Sequence, residues 1–115
     1  MALKTWNVDK YELAFRHRAK AYLQPDDGLA VIFLWEGAVR AGRAEFYAED
    51  REQLPNPSYY KDENYIEACF YLSELHPILQ MLSSEKPVVL EAELIDGILK
   101  EAVLKTRPEP VGENE

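Results

Sequence analysis

The dipeptide Asp96-Gly97 constrains the fold of this chain more than any other feature. It separates two apolar segments, 88–95 and 98–107, and a two-residue type I′ turn needs φ > 0 at both central positions, which Asp and Gly tolerate. Such a loop sets Ile95 against Ile98, Glu93 against Lys100 and Leu90 against Val103. Val88, Leu90, Ala92, Leu94, Leu99 and Val103 then share the core face. An antiparallel hairpin is therefore the first fixed element.

Upstream, apolar side chains alternate from Tyr11 to Leu23, the period of a half-buried strand. Gln24-Pro25-Asp26-Asp27-Gly28 supplies turn chemistry. Residues 29–35 are continuously apolar, which predicts a strand covered on both faces. After Glu36-Gly37, residues 38–48 read as a third strand in which Gly42 marks a bulge or a bend. Residues 49–63 carry Pro55, Pro57, Tyr59 and Tyr60 without apolar period, and read as one long loop.

The stretch 65–85 supports two readings, since its residues alternate as in a strand while its composition suits a helix starting near Asp62. Pro77 inside one long helix would cost roughly 3 kcal/mol, which favours a strand over 65–72 followed by a short helix from Ser73 or His76 to Ser84. Its apolar stripe is Leu75, Ile78, Leu79 and Leu82. The expected fold is α+β: a curved antiparallel sheet of five or six strands, a meander plus the C-terminal hairpin, with one short helix and a partly open barrel as a variant. Residues 1–107 form one domain, and 108–115 an extended acidic tail.

With 115 residues, the chain is long enough to bury a core without disulfides or metal. The lone Cys69 has no partner for either, and residues 1–6 lack the apolar segment of a secretory signal, so a cytoplasmic protein is expected. No apolar run approaches the roughly 20 residues of a membrane span, so no membrane partner is expected. The net charge of −8 opposes unspecific binding to nucleic acid. That charge is uneven: residues 1–48 hold seven Lys/Arg and six Asp/Glu, or +1, and residues 49–115 hold six and fifteen, or −9. An anion-binding surface belongs to the first half.

Catalytic motifs find no foothold. Gly37 to Gly42 has the glycine spacing of a phosphate-binding loop, but Arg43-Ala44 stand where Lys and Ser/Thr are needed. His17 falls between arginines on the apolar face of the first strand and reads as a half-core residue, and His76 before Pro77 as a helix start. Glu91 and Glu93 share a strand face, where carboxylates serve acid–base or metal chemistry. Lys100 opposite Glu93 makes an ion pair the simpler account. Asp26-Asp27 is a turn pair, and Cys69 lacks a basic neighbour to activate it.

One surface stands out. Arg16, Arg18 and Lys20 project from one face of the first strand, and a four-residue turn sets Lys20 against Phe33 and Arg18 against Trp35, with Arg40 and Arg43 on the next strand. Cations beside aromatic rings stack single-stranded bases, and equally shield a sheet's aromatics with long aliphatic stems. The expectation is a non-catalytic binding or adaptor domain, with no catalytic residue, cofactor or metal, whose partner is another protein or a second copy. A single-stranded nucleic-acid binder is the alternative, and a small enzyme or ligand carrier with a pocket between sheet and helix the second alternative.

Overall fold

The computed structural model describes residues 2–19, 21, 28–84 and 87–106. Their strands are β1 (Ala2–Val8), β2 (Lys10–Phe15), β3 (Ala30–Glu36), β4 (Val39–Tyr47), β5 (Ser58–Tyr60), β6 (Tyr65–Tyr71), β7 (Val88–Ile95) and β8 (Ile98–Thr106). A 3-10 turn at Leu72–Glu74 leads into α1 (Leu75–Ser84). The α+β class with one short helix holds. The strands divide between two sheets, in the orders β2-β3-β4-β6-β5 and β1-β7-β8, and neither closes into a barrel. All pairings are antiparallel except β4 with β6. That parallel pair arises because β5, inside the segment expected to be loop throughout, forms the sheet edge and turns back through 61–64 to lay β6 between itself and β4. Asn64 takes the turn's left-handed position, with φ of 52°.

The first strand differs from the reading above. Residues 2–8 form a strand of their own, in which Trp6 and Val8 are buried while Thr5 and Asn7 face out. At Asp9 the chain passes from one sheet to the other, and the β3–β4 turn pins this corner. The Gly37 N–H donates to the Asp9 carboxylate at 3.0 Å, and the Asn7 N–H donates to Glu36 at 2.9 Å. The second strand stops at Phe15 and residues 16–19 are not strand, so the alternation expected from Tyr11 to Leu23 breaks there; Lys20 and residues 22–27, with most of the turn expected over 24–28, lie outside the described residues.

The hairpin turn is as expected, with Asp96 at φ 53°, Gly97 at φ 78° and Ile95 opposite Ile98. Beyond Leu94 and Leu99 the register slips by one residue, setting Glu93 against Glu101 and Leu90 against Leu104. An uninterrupted ladder would turn Glu101 and Lys105 toward the core, whereas the slip brings Ala102 and Leu104 there in place of Val103. The carboxylates Glu91 and Glu93 pair with Lys105 at 3.1 Å and Lys100 at 3.3 Å.

The core lies between the sheets. Ile32, Leu34, Phe46 and Ile66 meet Trp6, Val88, Leu90 and Ala92, and α1 adds Leu82. Burying each large apolar side chain contributes about 1.5–3 kcal/mol. Pro77 occupies the first turn of α1, where a missing N–H is harmless. No helix among the described residues is long and apolar enough to cross a membrane.

Candidate functional site

The outward face of the five-stranded sheet carries the odd residues of β3 and β4, and a bulge decides which cations join them. Opposite Leu34 stands Gly42, but opposite Trp35 stands Arg40, so Ala41 is the extra residue and is buried. Arg40 thereby turns onto the face of Trp35, which strict alternation would deny it. Its guanidinium carbon lies 4.3 Å from the Phe33 ring centroid and 5.0 Å from that of Trp35. From β2, the Lys10 ammonium stands 4.4 Å from the Trp35 ring, giving that residue two cations.

Arg43, opposite Phe33, is held differently. Its Nε and Nη2 donate to Glu67 at 3.0 and 2.6 Å, and Nε lies 3.0 Å from Glu45. Burial works against the Arg43 charge, but the Glu67 carboxylate outweighs it and holds the guanidinium above its usual value. Tyr60 donates to the other Glu67 oxygen at 3.2 Å, and the Arg43 guanidinium sits 5.6 and 6.0 Å from the Tyr65 and Tyr60 rings. Burial raises the Tyr65 phenol, against the lowering pull of Arg43, and its hydroxyl is buried without a hydrogen-bond partner. Trp35, Arg40, Arg43, Tyr60, Glu63 and Tyr65 line a shallow concavity of about 560 Å³.

Phe33, Trp35, Arg40 and Arg43 therefore lie together, and the remaining three residues of the expected set do not join them as drawn. Arg16 clamps Glu45, with Nη1 at 2.5 Å and Nη2 at 2.8 Å, and donates again to the Gly28 carbonyl. Arg18 is exposed beyond the end of β2, and Lys20 lies outside the described residues. The register is the cause: Lys10 faces Trp35 and Glu12 faces Phe33, in place of Arg18 and Lys20. The shift is eight residues, an even number, so the alternation that suggested the face survives a wrong pairing.

Sequence reading missed Lys10, Glu45, Tyr65 and Glu67. A sequence signal existed for Glu45, a carboxylate two residues from Arg43 on a strand otherwise rich in apolar side chains. His17 is exposed and not half-core, because β2 ends before it, and His76 is exposed on α1. Burial pushes the Cys69 thiol up to about 11, which disfavours a thiolate. Among the described residues no three His, Cys, Asp or Glu side chains converge on a metal position. Comparison with protein-family models, curated proteins and solved structures finds no match to this chain.

Proposed function

We propose that the chain is a non-catalytic binding domain whose docking surface is this aromatic–arginine face. Its partner is another protein, engaged through a segment that offers one carboxylate beside an apolar side chain. The observation that carries the reading is Arg40. It is exposed, stacked on Phe33 and Trp35, and has no acceptor among the described residues, whereas Arg16 and Arg43 are neutralised by Glu45 and Glu67. A guanidinium held against two rings is already partly ordered, so its forked donors can meet a carboxylate with less ordering cost left on binding.

The charge balance argues against a polyanion. Among the described residues, Lys10, Arg16, Arg40 and Arg43 stand beside Glu12, Glu45, Glu63 and Glu67, four of each sign. Cations already flank the Phe33 and Trp35 rings that a single strand would stack upon. Among the described residues, the lining of the concavity contributes one carboxylate, Glu63, and no histidine, cysteine or serine, which favours binding over catalysis.

Trp6 is buried in the core, so a ligand-induced change in tryptophan emission reports Trp35. Short peptides with one Glu or Asp beside Leu or Phe should give saturable quenching that Arg40→Ala abolishes while the melting temperature falls only slightly, since an exposed cation–π contact contributes about 0.5–1 kcal/mol. Saturable binding of oligothymidylate alone, falling steeply with salt, would replace this reading with the nucleic-acid one.

A further inference from the structure

Strand β2 borders β3 on one side and, among the described residues, no strand on the other. Its odd residues project on the core side, opposite Leu34, Ile32 and Ala30, yet Tyr11 and Leu13 are each 37% exposed and Phe15 is 67% exposed. Three large apolar side chains in a row on an open edge are what edge strands ordinarily avoid.

The backbone makes the edge specific. The Arg16 N–H donates to the Leu29 carbonyl at 2.9 Å, which sets the phase of the β2–β3 ladder. In that phase Lys10, Glu12 and Ala14 bond to β3, while Tyr11, Leu13 and Phe15 aim their N–H and C=O groups at the open side. A two-fold axis through Leu13, normal to the sheet, brings the same three residues of a second copy against them. Leu13 meets Leu13, Tyr11 meets Phe15, and each facing pair exchanges two hydrogen bonds. All six outward groups on each edge are then used, and Glu12 faces Ala14. Moving the axis to Glu12 opposes two carboxylates and sets Phe15 against Asp9. Moving it to Ala14 sets Tyr11 against His17.

The geometry points to a homodimer joined edge to edge through β2, in which two five-stranded sheets become one of ten strands. The charge distribution fits this occupant. Residues 10–15 carry one Lys and one Glu, Lys10 and Glu12, so two copies of this strand bring no excess of like charge to the join despite the net charge of −8. This inference is independent of the Arg40 face.

Sedimentation equilibrium of the full chain tests it. The mass should rise with concentration from 13.3 kDa to twice that value, and Leu13→Lys should return it to one chain with an unchanged circular dichroism spectrum. In a Cys69→Ser background, Leu13→Cys should be joined into dimers by a short bis-maleimide, whereas Val39→Cys, exposed and far from the axis, should not. This cross-linking decides the matter if Leu13→Lys does not fold. A one-chain mass up to millimolar concentration overturns the proposal, as does a dimer that lacks the Leu13→Cys link.

Discussion

Glu45 and Arg40 are two charges on one sheet face with opposite fates. Glu45 is only 3% exposed, and it remains tolerable there because Arg16 and Arg43 both reach it, one from each side. A carboxylate moved so far from water has its desolvation offset only by such pairing. Its removal should therefore hurt twice, by taking the paired carboxylate from Arg16 and one of the two carboxylates from Arg43, and by loosening the chain that Arg16 ties to Gly28. Glu45→Ala should lower unfolding free energy by about 2–4 kcal/mol, toward the lower end of what breaking a buried pair costs, because both arginines keep some contact with water. Urea denaturation measures this, and a midpoint equal to that of the unsubstituted chain would mean that Glu45 contributes nothing to the clamp. Arg40 has no such duty, so stability and binding should separate there and not at Glu45.

At the scale of elements, legibility followed how locally each element is determined. The Asp96-Gly97 turn was readable because two adjacent residues must both take positive φ, and they do. Gly97→Val meets no neighbouring atom within 4 Å of the new Cβ, so its cost is conformational, about 1–2 kcal/mol. A denaturation midpoint that does not fall would refute that account of the turn. The break before α1 was readable from Pro77 for the same local reason. What long-range pairing decides was not readable. β1 owes its place to β7, and nothing within residues 2–8 names that partner. The β2–β3 offset preserved alternation under an even slip, so Phe33, Trp35, Arg40 and Arg43 were found together while Arg18 and Lys20 were drawn where Lys10 and Glu12 stand. The slip in the terminal hairpin was foreshadowed by Glu101 and Lys105, which strict pairing would have turned inward.

The molecule as a whole consists of sheets of unequal width, five strands against three, with α1 contributing Leu82 to the space between them. Among the described residues the wider sheet extends past its cover at β2, and this leaves Tyr11 and Leu13 partly exposed and Phe15 mostly so. Elsewhere the two layers approach closely, as at Gly42. A Cβ at residue 42 would lie 2.5 Å from the Ile66 carbonyl oxygen in the neighbouring strand and 2.9 Å from the Leu90 side chain on the opposing sheet. Leu90 could turn away, but the Ile66 carbonyl is backbone in a parallel ladder and has nowhere to go without parting β4 from β6. The glycine was read from sequence as a bulge or a bend. The bulge belongs to Ala41, and residue 42 is glycine because two other elements occupy the room a methyl group would need. Gly42→Ala should then cost about 1–3 kcal/mol, the range for overpacking a closed interior, in spite of alanine's less flexible unfolded chain. The urea midpoint should fall while the slope of the transition, which reports the surface exposed on unfolding, stays the same. A rise in the midpoint would mean that the sheets have slack at this point, and the close approach of β4, β6 and β7 would not be what fixes their spacing.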